Sequence, residues 1–258
     1  MEAVTRLLRT MARLRDPERG CPWDVEQDFH TIAPHTIEEA YEVADAIERE
    51  DWRQLKDELG DLLLQVVFHA RIAEERGYFD LEAVAEQLEA KLVRRHPHVF
   101  GSAQAESTDD VAHHWEAVKE RERAAKGEAE SALDGIASAL PALVRASKLQ
   151  RRAARVGFDW PDYRGALGKV REELGEVEAE VEGDAQRREA EVGDLLFAAV
   201  NLARHLDVDP ETALRRAGDR FEHRFRGVEA EFQARGEGMD EQSIDTLEAV
   251  WQQVKARG

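Results

Sequence analysis

Glu38-Glu39-Ala40-Tyr41-Glu42, followed by Glu58-Leu59-Gly60-Asp61-Leu62-Leu63, is the stretch on which the fold turns. It returns as Glu172-Glu173-Leu174-Gly175-Glu176 and Glu191-Val192-Gly193-Asp194-Leu195-Leu196. Residues three and four apart share one face of a helix, so each set presents several carboxylates toward one point when the chain is helical. A hard divalent cation such as Mg²⁺ takes oxygen ligands of this kind and often holds a phosphate as well. The duplication supplies an internal test, because a reading of one copy has to hold in the other.

The turn inside each copy follows from position. The midpoint between Glu42 and Glu58 falls at Glu50-Asp51, and that between Glu176 and Glu191 at Gly183-Asp184, the stronger turn signal. Antiparallel helices joined there bring the paired acids to one height, roughly 12 Å from the turn at about 1.5 Å rise per residue. Leu62-Leu63-Leu64 with Val66-Val67-Phe68, and Leu195-Leu196-Phe197 with Ala198-Ala199-Val200, make the second helices apolar nearly all round. Such helices are expected to be buried on more than one side, carrying their acids into an interior. Gly60 and Gly193 lie between the acids although a helical Gly costs about 1 kcal/mol relative to Ala. Something is expected to approach the backbone closely there.

Outward from the acids, the landmarks repeat in order. Trp23-Asp24 precedes the first cluster and Trp160-Pro161-Asp162 the second; Lys91 and Arg95 follow the first, Arg220 and Arg224 the second. Trp115 with Lys119, and Trp251 with Lys255, close the two halves. A repeat this long predicts duplicated domains rather than a solenoid of roughly 20–50-residue units. We divide the chain into helical domains at 1–122 and 134–258, joined by a linker at 123–133. No alternating strand pattern interrupts the helical spacing, and the predicted class is all-α.

Composition narrows the partners. The 258 residues are 42% hydrophobic, enough for a core, and carry a net charge of −19. That charge argues against a nucleic-acid polymer, which needs a basic footprint, but not against a small phosphorylated ligand. Cys21 is the single cysteine, so a disulfide framework is not expected and a reducing, cytoplasmic compartment is. The first fifteen residues read as an amphipathic helix rather than a signal peptide, and no run reaches membrane-spanning length.

The missing residue types choose the ion. Di-iron bundles place His at the third position after Glu; the matching positions here hold Glu42, Asp61, Glu176 and Asp194. With neither imidazole nor thiolate among the acids, Mg²⁺ fits best and Mn²⁺ can substitute. His96 and His98 flank Pro97 and read as loop or packing residues rather than ligands.

The paired motif in two tandem helical domains resembles the MazG-type nucleoside triphosphate pyrophosphohydrolases. The likeness extends through Gly20-Cys21-Pro22-Trp23-Asp24, Arg94-Arg95-His96-Pro97-His98-Val99-Phe100, Lys148-Leu149-Gln150-Arg151-Arg152, Val156-Gly157-Phe158-Asp159-Trp160 and Asn201-Leu202-Ala203-Arg204-His205. It covers nearly the whole chain. The acid motif alone is shared with dimeric dUTPases and dCTPases; the flanking segments single out MazG.

The resemblance implies hydrolysis of a nucleoside triphosphate between its α and β phosphates, giving the monophosphate and pyrophosphate. It implies Mg²⁺ ligands at Glu39, Glu42, Glu58 and Asp61, and again at Glu173, Glu176, Glu191 and Asp194. Glu38 and Glu172 point about 100° from their neighbouring Glu on an ideal helix, where they orient or deprotonate water or add a ligand. Lys91 and Arg95, or Arg220 and Arg224, either neutralise the β and γ phosphates or form an ordinary solvated face. Trp115 and Trp251 either stack on a base or pack in the core, and Lys119 and Lys255 lie one turn beyond each. Lys169, three residues before Glu172, adds a cation to the second site; His35 holds that position in the first. We therefore expect the C-terminal half to be the main catalyst and the chain to form a homodimer. The rival reading is a metal-dependent nucleotide-binding or interaction module without turnover.

Overall fold

A computed structural model describes residues 2–101, 107, 111, 115, 118 and 131–257. Those residues are helical, with no strand among them, and the chain falls into two compact units, Met1–Glu122 and Arg123–Gly258. The protein is all-α. Lys119 lies outside the described residues, as does the linker segment at 123–130.

In the first unit α1 (Glu2–Leu14) and the short α2 (Pro22–Glu26) lead into α3 (Phe29–Glu48) and α4 (Trp52–Glu75). They are followed by α5 (Leu81–Arg95) and α6 (Pro97–Phe100). Aspartate begins the principal helices for a local reason: its carboxylate accepts from the otherwise unpaired N–H groups of the first turn, worth about 1 kcal/mol each. Asp28 forms a reciprocal box with Thr31 at the start of α3, and Asp51 accepts from the backbone N–H of Arg53 and Gln54 at the start of α4. Helices α3 and α4 form the main pair, with α1 against α4. Met11, Ile32, Val67, Phe68 and Ile72 close a core between them, edged by Leu7, Leu8, Phe29, Leu64 and Leu81.

One buried charge secures this unit. The Arg15 guanidinium donates to both carboxylate oxygens of Glu75, the shortest contact being 2.8 Å, and to the backbone carbonyls of Asp24 and Gln27. Arg71 donates to the same Glu75 carboxylate from one turn away.

The second unit repeats the hairpin. Its helices are α7 (Ala142–Arg155), α8 (Tyr163–Ala179), α9 (Ala185–His205), α10 (Pro210–Arg235) and α11 (Ile244–Arg257), with a 3₁₀ turn at Met239–Glu241 before the last. Helices α8 and α9 form the main pair, α7 lies against α9 and α10, and α10 packs on α11. A separate core of Val228, Phe232 and Val250, joined by Met239, Leu247, Trp251 and Val254, seals the last two helices.

The turn arithmetic holds in both copies. Asp51 and Asp184 cap the second helix of each pair, and Glu58 and Glu191 each follow their cap by seven residues. The expected burial of these helices on several sides does not occur within one chain. Leu59, Leu63 and Val66 on α4, and Val192, Leu196 and Phe197 on α9, are exposed. The physical reason is supply: the neighbours within each unit cover only part of a helix that is apolar nearly all round.

Candidate active site

The helix pairs bring the acids together as their spacing demands. One carboxylate oxygen from each of Glu39, Glu58 and Asp61 lies within 4.8 Å of the others, and the same holds for Glu173, Glu191 and Asp194. Oxygens bound to one Mg²⁺ at about 2.1 Å stand roughly 3–4 Å apart, so a small contraction would complete either set. Glu42 and Glu176 are not among these groups, but the charges of Glu58 and Glu173 act on them.

Electrostatics favour a cation at both places. Burial raises the pKa of Glu39, and the negative charges of Asp61 and Glu58 raise it further. Glu42 is raised by burial and by Glu58. Glu176 is raised by its hydrogen bond with Glu173 and by that neighbour's charge. Carboxylates that resist ionisation because other carboxylates face them are relieved by a bound cation.

The copies differ at their edges. In the second, Lys169 Nζ donates to Glu172 Oε1 at 2.8 Å and contacts Glu173 Oε1 at 2.5 Å. Those two bonds raise the lysine pKa, and the lysine bond lowers that of Glu173. Glu173 is 4% exposed, and its Oε2 is buried without a hydrogen-bond partner. An unpaired buried carboxylate oxygen beside two further acids is the donor set a hard cation requires. In the first copy His35 Nδ1 stands 3.3 Å from Glu38 Oε2.

Beside the second acid group lies a cavity of about 700 Å³. Lys169, Glu173 and Asp194 line it together with Phe158, Trp160, Phe197, Gln150, Asn201 and Arg204. Arg204 donates to Asp159 Oδ1, and His205 Nε2 stands 3.0 Å from the same oxygen. That contact ties the Phe158–Trp160 segment to α9. Trp160 also needs Gly165, where an added Cβ would lie 2.6 Å from the indole.

Lys169, Glu173 and Asp194 of this lining were expected at the site from sequence; Gln150, Phe158, Asn201 and Arg204 were not singled out as site residues, although they fall in the segments that carried the resemblance. The other candidates lie elsewhere. Trp251 packs on the Val228–Phe232–Val250 core and 5.3 Å from Phe221 between ring centroids. Arg220 and Arg224 on α10, and Lys255 on α11, are not among the lining residues of the cavity. Trp115 meets the His96 ring edge-on at 4.8 Å and lies under Arg95, and Lys91 is half-buried on α5. His96 Nδ1 donates to the Leu92 carbonyl, one turn back, at 2.6 Å. The close approach expected at Gly60 and Gly193 is not found among the described residues: an added Cβ would meet no atom within 4 Å beyond its own helical turns.

A family model, the MazG nucleotide pyrophosphohydrolase domain, matches residues 27–100. The nucleoside triphosphate pyrophosphohydrolase of Escherichia coli (strain K12) is 53% identical over 258 residues, spanning 99% of this chain and 98% of that protein. The nucleoside triphosphate pyrophosphohydrolase/pyrophosphatase MazG of Thermotoga maritima is 43% identical over 249 residues, spanning 96% and 94%. A solved mazG-related protein from Thermotoga maritima aligns at 25% identity with a TM-score of 0.39, covering 46% of this chain and 99% of that one, too slight a likeness to weigh. On the full-length identities, the chain belongs to the MazG family of nucleotide pyrophosphohydrolases.

Proposed function

We propose that this protein is a Mg²⁺-dependent nucleoside triphosphate pyrophosphohydrolase that breaks the bond between the α and β phosphates, releasing the nucleoside monophosphate and pyrophosphate. The observation that carries this reading is the convergence of Glu173, Glu191 and Asp194, two of which, Glu173 and Asp194, line a cavity of about 700 Å³. The family membership supports the reaction class. Glu173, Glu191 and Asp194 would hold Mg²⁺, with Glu176 joining them by a side-chain rotation; Glu39, Glu58, Asp61 and Glu42 offer the matching set in the first unit. When bound, Mg²⁺ supplies polarisation of the phosphate oxygens and neutralisation of the departing pyrophosphate. Glu172, exposed beside Glu173, would orient or deprotonate the attacking water, and Glu38 corresponds to it in the first unit. Lys169, already between two of the acids, can turn toward a phosphate oxygen.

We assign the main activity to the C-terminal unit, on the cavity and Lys169, and read the N-terminal unit as a second or regulatory site. The exposed apolar faces of α4 and α9 favour a homodimer. Among the described residues no helix is long and apolar enough to cross a membrane, and a single cysteine suits the cytoplasm.

Phosphorus NMR of the protein with each NTP and dNTP plus Mg²⁺ tests the reading. Monophosphate and pyrophosphate should appear together. Orthophosphate with diphosphate would mean that the other anhydride is cut, and no product from any nucleotide would favour a binding module. Glu173→Gln should abolish turnover, whereas Glu39→Gln should leave most of it.

A further inference from the structure

The acid set of the second unit carries a cation of its own. Lys169 Nζ lies 2.8 Å from Glu172 Oε1 and 2.5 Å from Glu173 Oε1. Glu173 is buried, is grouped with Glu191 and Asp194, and keeps its second oxygen without a hydrogen-bond partner. One carboxylate therefore meets an ammonium at one oxygen and offers the other to a divalent cation. The first unit lacks this arrangement. His35 stands at the matching position, and its contact is with Glu38, outside the group of Glu39, Glu58 and Asp61. Two acid sets of like composition thus differ in one side chain.

Cations on the two oxygens of one carboxylate repel each other. For a unit and a double charge within about 7 Å, the repulsion weakens binding roughly tenfold even at the dielectric constant of water. The lysine is not confined: its side chain is 40% exposed, and a flexible four-carbon stem lets its head exchange one anionic partner for another. We propose that Lys169 is a removable counter-ion. It holds Glu173 in the metal-free protein, and the second unit takes up Mg²⁺ tightly only when a triphosphate has drawn the lysine onto its own oxygens. Metal and triphosphate then favour the same position of the lysine, so each strengthens binding of the other. The first unit binds its cation without that condition. This inference rests on the proposed function, which supplies the triphosphate.

Electron paramagnetic resonance of free Mn²⁺ provides the test on the full-length protein, with Asp61→Asn present throughout to disable the first acid set. Lys169→Met should bind Mn²⁺ about tenfold more tightly than its parent, and Lys169→Arg, which keeps the charge, should not. Arg171→Met removes an equal charge from an exposed position on the same helix and should change the affinity by no more than about twofold. Calorimetric titration with an α,β-methylene nucleoside triphosphate, in which the bond to be cut is replaced, reads the coupling. The factor by which Mg²⁺ tightens its binding should fall about tenfold in Lys169→Met. Mn²⁺ affinity unmoved by Lys169→Met, an equal gain from Arg171→Met, an analogue that does not bind, or an unchanged coupling factor overturns the inference. Lys169→Gln serves if the methionine variant does not fold. Neither titration needs turnover, so a parent protein that cleaves no triphosphate sinks the proposed function and leaves these two measurements to decide the inference.

Discussion

Lys169 Nζ stands 2.5 Å from one carboxylate oxygen of Glu173, while the other oxygen of that carboxylate is buried without a partner. A single side chain is thus neutralised at one oxygen and left without a partner at the other, in a residue grouped with Glu191 and Asp194. Removing the lysine should expose the imbalance. Lys169→Met is expected to lower the Tm of the metal-free protein, because a buried carboxylate loses its cation, and to enlarge the stabilisation given by added Mg²⁺. Calorimetric scans in chelator and in Mg²⁺ check this; equal melting of variant and parent in chelator would refute it.

The pair Arg15–Glu75 should set the acid limit of the first unit. Burial pushes the Glu75 carboxyl up, but hydrogen bonds from Arg15 and Arg71 outweigh it and hold the pKa below the usual value. A group whose folded pKa is lowered binds fewer protons when folded. Its contribution is complete above its unfolded pKa of about 4.3 and is lost as pH falls through the folded pKa. Glu75→Gln should cost about 2–3 kcal/mol at neutral pH, and the deficit should shrink below pH 4 in urea titrations. A deficit independent of pH would show that charge is not the cause.

Arg204 fastens the cavity wall. Its hydrogen bond is the foremost reason the Asp159 pKa is lowered, and it also orients Asn201. Arg204→Leu should cost about 1.5–3 kcal/mol, the range for a hydrogen bond to a charged group. The Asp159 carboxyl should titrate at higher pH by carbon NMR, and KM for nucleotides should rise more than kcat falls. An unmoved Asp159 titration would dissociate the two residues.

Two glycines should respond in opposite directions. At Gly165 a methyl group collides with Trp160 at 2.6 Å, so Gly165→Ala should destabilise by about 1–3 kcal/mol through overpacking. At Gly193 no atom of the described residues outside its own helical turns lies within 4 Å of the added carbon, and Ala is the better helix former by about 1 kcal/mol. Gly193→Ala should therefore stabilise the isolated chain while lowering turnover or self-association, if substrate or a second copy comes close to α9 there. A gain in stability with neither loss would mean that the space is unused.

The acids and their turns were legible because they depend on local rules. Helical periodicity put Glu173 with Glu176, and aspartate caps fixed where α4 and α9 begin. The cavity was not legible for the converse reason. Gln150 and Phe197 meet across 47 positions and Arg204 and Asp159 across 45, so each alone reads as an ordinary core or surface residue. Trp251 was legible only as a residue that suits a core or a ligand, because an aromatic at helical spacing serves either; it packs on the Val228–Phe232–Val250 core. The exposed side of α9 could not be foreseen from composition, since an all-round apolar helix announces burial without saying whether its own chain supplies the cover.

The common interval of seven residues from Asp51 to Glu58 and from Asp184 to Glu191 makes each second helix a ruler with its zero at the cap. One residue added before Asp184 would lengthen a loop and leave the acids where they are. The same residue added between Asp184 and Glu191 would swing Glu191 and Asp194 about 100° around the helix, scattering a metal site without removing a single carboxylate. Length variation in descendants of this duplication should therefore be tolerated on one side of an aspartate and forbidden on the other.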